Sequence, residues 1–168
     1  MKISAFLIVA GLLFSAGAIA KPEAAGWRVG EEGGWREIFT TNNEGYTINF
    51  TCDMGAKEGT EDHAAGRVLY VSGGREGKKI DASTKWSMES MPNVITLKMG
   101  DNSYNIENQA TDPARREWYR FWNDTVKSAS KTVDVYVDGR NVTSFNLSGI
   151  ADIYKTAPQD GCLKKDTN

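Results

Sequence analysis

The chain has 168 residues, a formal net charge of −2, and 20 Lys and Arg residues against 22 Asp and Glu residues. Acidic and basic residues are mixed and no basic block occurs, which argues against a non-specific nucleic-acid-binding protein, because such proteins depend on clustered cations. The single histidine leaves little basis for a zinc site or a Ser-His-Asp triad, and no cofactor is expected.

The first twenty residues have the pattern of a secretory signal peptide. Lys2 gives a positive start, an apolar run extends from Ala5 to Phe14, and Ala18-Ile19-Ala20 matches a cleavage site. The apolar run is shorter than the ~20 residues that a membrane span requires, although an uncleaved anchor is the alternative. We therefore expect cleavage after Ala20, periplasmic or secreted localisation, and no stable membrane insertion of the mature chain.

After cleavage, the sequence predicts a flexible leader over residues 21–34 and a single β-rich domain over residues 35–168. Trp27 and Trp35 flank a short acidic stretch that is rich in glycine. Tryptophans in this setting usually dock onto a sheet edge, and stacking on carbohydrate is the alternative.

Alternating apolar residues predict two strands, from Trp35 to Thr41 and from Tyr46 to Cys52, joined by a turn over residues 42–45. The alternation places Cys52 on the core face of its strand. Cys52 and Cys162 are the two cysteines of the chain, and in an oxidising compartment they are predicted to form one disulfide. Two free thiols are the alternative.

A polar loop is predicted between Asp53 and Gly66. It contains Glu61, Asp62 and His63, which could form a weak metal site, but a solvated acidic loop is favoured because zinc sites usually have more His and Cys ligands. Loops carry binding functions more often than scaffolds do. We therefore predict that this loop contacts a partner.

The predicted contact surface consists of that loop, through Glu61, Asp62 and His63, together with Trp27 and Trp35. The expected partner is another envelope or secreted protein. If this surface binds the partner, changing the three loop residues together weakens binding and leaves folding intact.

Further strands are predicted over residues 67–72, within residues 78–86, and over residues 94–99 and 103–108. Asp112 as N-cap and Pro113 as first helical residue then predict a helix. Its apolar stripe comprises Ala114, Trp118, Phe121, Trp122 and Ala129. This pattern favours a helix packed on a sheet, and a partner-binding helix is the alternative.

The final stretch predicts a hairpin and a short helix. Alternating valines mark a strand from Thr132 to Val137, and Asp138-Gly139 favours a tight turn before a return strand over residues 142–147. Ser148 is predicted to cap a helix over residues 149–155. Hairpins dominate and no βαβ alternation occurs, so the fold class is mainly β or α+β: an antiparallel sandwich or curled sheet with one amphipathic helix, a short C-terminal helix and one disulfide.

The segment Phe145-Asn146-Leu147-Ser148-Gly149-Ile150, followed by a short helix and Cys162, has an F-x-L-x-G-[LFI] pattern. It resembles the C-terminal pattern of small bacterial periplasmic proteins of the invasion-associated locus B type, and of periplasmic proteins associated with type VI secretion. The resemblance implies a disulfide-bonded, β-rich envelope protein with an accessory or virulence-linked role. It transfers no catalytic residues.

Three functions follow as hypotheses. The first is a non-enzymatic exported binding protein with an accessory, inhibitor or immunity role, which is favoured because the sequence shows an export signal and no catalytic motif. The second is an envelope enzyme that acts on glycan or peptidoglycan through a pair of carboxylates. The third is a structural component of the envelope.

Overall fold

The computed structural model describes residues 26–56 and 66–165. Within these residues, nine strands form two antiparallel sheets accompanied by two helices. The first sheet, in spatial order, contains β1 (Arg28–Glu32), β2 (Trp35–Thr41), β3 (Tyr46–Asp53), β4 (Arg67–Gly73) and β5 (Ile80–Ser83). The second contains β7 (Asn102–Ile106), β6 (Ile95–Met99), β8 (Thr132–Val137) and β9 (Arg140–Asn146), and the helices are α1 (Asp112–Asp124) and α2 (Ile150–Thr156).

The two sheets follow the chain closely. Each strand of the first sheet pairs with the next along the sequence, which makes a five-stranded meander, and the second sheet is built from two hairpins joined between β6 and β8. All the pairings are antiparallel. The predicted mainly-β class, with antiparallel sheets, helices and a disulfide, is confirmed.

One hydrophobic core joins the inner faces of the sheets to α1. Phe50 of β3 is fully buried and contacts both Trp122, at 4.8 Å between ring centroids, and Phe121, at 5.3 Å. Phe121 also contacts Tyr104 of β7 at 5.4 Å, so the helix packs on both sheets. The predicted packing of the apolar helix stripe on a sheet is therefore confirmed for its buried members, with Ala129 exposed beyond the end of α1.

The predicted leader is wrong over its second half, because residues 28–32 form β1 and pair with β2. Trp27 explains the difference. Its ring is buried against Phe50, and its indole Nε1 donates to the carbonyl oxygen of Asn146 at 2.8 Å. This bond docks Trp27 on the free edge of β9 and fixes the start of β1. The predicted signal peptide, residues 1–20, lies outside the described residues.

Both predicted helix caps are shifted. Thr111, not Asp112, caps α1, since its Oγ1 accepts a hydrogen bond from the Ala114 amide at 3.3 Å. Gly149 rather than Ser148 caps α2, and its φ of +86° lies in the left-handed region that favours glycine. In the part of the chain that the structure describes, neither helix is long and apolar enough to cross a bilayer.

Candidate functional site

The predicted disulfide is present between Cys52 of β3 and Cys162. Both residues are buried, and they join parts of the chain that lie 110 residues apart. The bond attaches the segment after α2 to the first sheet. Alternation along β3 predicted the buried position of Cys52, because residues two apart on a strand share a face.

Hydrogen bonds hold the same segment in place. The carbonyl oxygen of Gly161 accepts from Arg67 Nε at 2.6 Å and from the Tyr119 hydroxyl at 2.7 Å. The carbonyl oxygen of Cys162 accepts from Trp118 Nε1 at 2.7 Å. Arg67 is 1% exposed, so its guanidinium serves the interior of the protein rather than a ligand. These contacts fix the scaffold on which the exposed surfaces are presented.

A shallow polar surface lies on the outer face of the first sheet, on the side opposite the core. We call it the outer-sheet platform, and its depression has a volume of about 480 Å³. Its side chains come from alternate positions of β2 to β5 and from the residues just after β5: Trp35, Glu37, Thr47, Asn49, Thr51, Tyr70, Ser72, Asp81 and Lys85.

Two aromatic side chains provide the apolar part of the platform. Trp35 is 39% exposed, and Tyr70 is half-buried on β4. Burial, and secondly the carboxylate of Glu37, raise the pKa of Tyr70. Its hydroxyl therefore keeps its proton at neutral pH and can donate a hydrogen bond.

An exposed apolar loop adjoins the platform through Lys85. This loop, residues 84–94, connects the two sheets, and four of its side chains are large, apolar and exposed: Trp86 (57%), Met88 (94%), Met91 (82%) and Val94 (42%). In the described residues, only Val29 and Trp35 are also large, apolar and exposed. The loop thus concentrates apolar surface at one place, which marks interaction sites in soluble proteins.

The apolar loop has a defined structure. The backbones of Ser83 and Asn93 hydrogen-bond across its base, where the Asn93 amide donates to the Ser83 carbonyl oxygen at 2.8 Å. Nearer the tip, the Ser90 amide donates to Ser87 Oγ at 3.1 Å, and the two hydroxyls lie 3.0 Å apart. The apolar side chains are therefore presented on an ordered turn, which lowers the entropy cost of binding.

Comparison with known protein families matches the YfjT family model to residues 25–154. The chain belongs to the YfjT family. The matched part of this YfjT-family protein includes all the described strands, α1 and Cys52, and Cys162 lies beyond it. Neither the curated proteins nor the solved structures contain a match to the chain.

Of the five residues that the sequence placed in one contact surface of the YfjT-family protein, the structure describes Trp27 and Trp35, and it places them in different surroundings. Trp27 is 9% exposed and belongs to the core, whereas Trp35 is exposed on the platform. Glu61, Asp62 and His63 lie outside the described residues. Trp35 pairs with Asp53 at the end of β3.

The platform contains two exposed carboxylates, Glu37 and Asp81, which raises the question of an acidic catalytic pair. In the strand register, Asp81 pairs with Ser72, Ser72 with Thr47, and Thr47 with Thr41 of β2. Thr41 lies four residues from Glu37 along β2. Three strand spacings and four residue rises place the two backbone positions roughly 20 Å apart. Glycosidase carboxylates lie about 5–10 Å apart, so this pair does not have that geometry.

Sequence reasoning missed both Tyr70 and the apolar loop. Alternation along β4 could have assigned Tyr70 to the outer face. The exposure of Trp86 and Met88 has no comparable sequence signal, because the same residue types are usual in a core. Over residues 26–56 and 66–165, no group of three or more His, Cys, Asp or Glu side chains is arranged to hold a metal ion.

Proposed function

We propose that this YfjT-family protein is an exported, non-enzymatic binding protein, with an accessory, inhibitor or immunity role, that holds an envelope or secreted protein through the apolar loop and the adjoining platform. The observation that carries the proposal is the exposure of Trp86, Met88 and Met91 on one hydrogen-bonded loop. Aromatic residues and methionine are enriched in the cores of protein interfaces, and methionine adapts to the shape of an apolar pocket.

The platform supports this proposal with a polar rim. Asn49, Ser72 and Glu37 supply amide, hydroxyl and carboxylate groups beside Trp35 and the apolar loop. Interfaces commonly combine a few apolar anchors with such a rim of hydrogen-bonding groups. The rigid sheet holds the rim in position, since β2 to β5 form a continuous antiparallel ladder.

Export is part of the proposal and rests on two features. The N-terminal twenty residues have the sequence pattern of a signal peptide. The disulfide between Cys52 and Cys162 fits an oxidising compartment, because thiols stay reduced in the cytosol.

Capture by the mature, oxidised chain, residues 21–168, tests the proposal. The immobilised chain is exposed to envelope and secreted extracts, in parallel with the double variant Trp86→Ser/Met88→Ser and with Val29→Ser as matched control. Val29 is 50% exposed on β1, outside the apolar loop. One stoichiometric protein, retained by the control and lost by the loop variant, is expected. A partner that binds the loop variant as tightly as the parent chain would overturn the proposal.

Recognition of a glycan by the platform is the second candidate, because Trp35 and Tyr70 are surrounded by hydroxyl, amide and carboxylate groups. Retention on peptidoglycan or polysaccharide that is lost in Trp35→Ala, and kept in Trp86→Ser/Met88→Ser, would favour this candidate. Retention on lipid vesicles that requires Trp86 would assign the apolar loop to a membrane surface instead.

A further inference from the structure

A groove between α1 and the disulfide-anchored segment has a different chemistry from the platform and the apolar loop. Its volume is about 800 Å³. Five cationic side chains and one carboxylate line it: Arg115, Arg116, Arg120, Lys164, Lys165 and Asp112. We call it the basic groove. The protein as a whole has a net charge of −2, so the groove is locally more positive than the chain on average.

Two of the three guanidinium groups of α1 in the groove are held in position. Arg120 donates to Glu117 Oε1 from Nε at 3.0 Å, and Arg115 donates to the carbonyl oxygen of Gln109 at 3.0 Å and also pairs with Asp112. Arg116 is exposed and makes no hydrogen bond or ion pair with the rest of the described residues. Its guanidinium therefore has no direct partner among the described residues, so it is available to an anion.

The opposite wall also presents cations over an aromatic surface. Lys164 donates from Nζ to the carbonyl oxygens of Ala157, at 2.7 Å, and Lys155, at 3.2 Å, and its ammonium lies 5.1 Å from the centroid of the Tyr154 ring. Tyr119 is fixed through its hydroxyl bond to Gly161. The groove thus combines cations with an aromatic floor.

The cations are spread along the groove rather than gathered at one point. Arg116 and Arg120 are four residues apart, which separates them by about 6 Å along the helix axis. Alternate side chains of an extended peptide are about 6.6–6.8 Å apart. Two acidic side chains on one face of an extended segment match this spacing. Arg116 can bind a carboxylate through its planar fork of donors, whereas the Nε and Nη2 of Arg120 are held by Glu117 and its Nη1 remains for the incoming group.

We infer that the basic groove binds an extended acidic peptide segment. The inference does not depend on the proposed function, because the groove shares no residue with the platform or the apolar loop. Arg116 engages one acidic side chain, and Arg120 engages the next one on the same face through Nη1, since its Nε and Nη2 hold Glu117. Tyr119 and Tyr154 contact the peptide between them. A single phosphate fits less well, since it would engage cations that converge on one point.

The test uses the oxidised mature chain and a labelled peptide of alternating Glu and Ser, with a Gln-Ser peptide as uncharged control. A length of about seven residues covers the lined face of α1. Arg116→Gln is expected to weaken binding about three- to fivefold, the effect typical of one exposed ion pair. Arg28→Gln, an exposed arginine of β1 outside the groove, is expected to leave binding unchanged. Because Arg116 is exposed and makes no hydrogen bond or ion pair in the described residues, its substitution is expected to leave folding intact.

Three results would overturn the inference. The first is that the Glu-Ser peptide does not bind the parent chain. The second is that it binds Arg116→Gln as tightly as it binds the parent chain. The third is that the Gln-Ser peptide binds the parent chain as tightly as the Glu-Ser peptide does. Polyphosphate and vesicles containing phosphatidylglycerol are measured in parallel. If these bind through Arg116 and the peptide does not, the groove belongs to a phosphate-bearing polymer or a lipid headgroup, respectively.

Discussion

The Asn93 side-chain amide donates to the Asp138 carboxylate at 2.9 Å and so links the two sheets. Asn93 Oδ1 accepts from the amide of Ser83 at the end of β5, while Asp138 lies in the turn between β8 and β9. The other carboxylate oxygen of Asp138 accepts from the Val94 amide at 3.1 Å. One side chain thus contacts the last strand of the first sheet and a turn of the second.

Because of this link, we expect the protein to lose stability at low pH. The hydrogen bonds from Asn93 and Val94 lower the pKa of Asp138. Their contribution is present above the unfolded-state pKa of about 4 and is lost as the pH falls through the lower folded-state value. Asp138→Asn is therefore expected to lose less stability than the parent chain between about pH 5 and pH 3, which urea unfolding measures. Parallel pH profiles for the two proteins would contradict this expectation.

Reduction of the disulfide is expected to cause a large loss of stability. It closes a loop with a sequence separation of 110 residues, and loop-closure entropy gives a contribution of about 4–5 kcal/mol for such a loop. Cys52→Ser/Cys162→Ser is expected to lower the free energy of unfolding by that order. Urea unfolding of the variant, with and without reductant, measures the effect. The parent chain must respond to reductant and the variant must not.

Substitution of Trp27 and of Trp35 is expected to change stability by very different amounts. Trp27→Ala removes a buried ring and its hydrogen bond to β9, and is expected to cost about 3 kcal/mol of stability. Trp35→Ala removes an exposed side chain and is expected to change stability by less than about 0.5 kcal/mol. Chemical unfolding distinguishes the two variants. Equal losses would show that the exposed ring of Trp35 also supports the fold.

Tyr104 predicts a loss of stability in alkali. Burial, followed by the hydrogen bond to Asp124, raises the pKa of Tyr104 to about 12. Tyrosine ionises near pH 10 in the unfolded chain, so this contribution is complete below about pH 10 and is lost as the pH rises toward 12.

The free energy of unfolding of Tyr104→Phe is therefore expected to fall less between pH 10 and pH 12 than that of the parent chain, by about 2 kcal/mol. Urea unfolding at several pH values measures the difference. A variant at Tyr104 with an unchanged slope would contradict the assignment.

The sequence predicted the strands that alternate clearly. The strand from Trp35 to Thr41 has the predicted bounds, and β3 extends only one residue past the predicted Cys52. β1 was missed because Arg28–Glu32 contains one strongly apolar residue, Val29, and its position depends on Trp27 docking elsewhere in the fold. Local patterns report periodicity, whereas such docking depends on contacts between distant residues.

The exposed surfaces were harder to predict than the strands. Trp86 is of a residue type that occurs in cores, and its exposure depends on how the loop ends are tied together. The basic groove joins Arg116 to Lys164, which lie far apart in sequence. No charge run marks it in the sequence, and the disulfide and the bonds to Gly161 bring its walls together.

The disulfide at Cys162 makes one wall of the basic groove dependent on the redox state of the chain. Lys164 and Lys165 lie two and three residues after Cys162, so a chain that has not yet been oxidised lacks the covalent hold on this wall. If the basic groove binds an acidic segment as inferred, a chain whose cysteines are still reduced presents the arginines of α1 opposite a wall held by hydrogen bonds and packing alone, and binding is expected to strengthen once the disulfide forms.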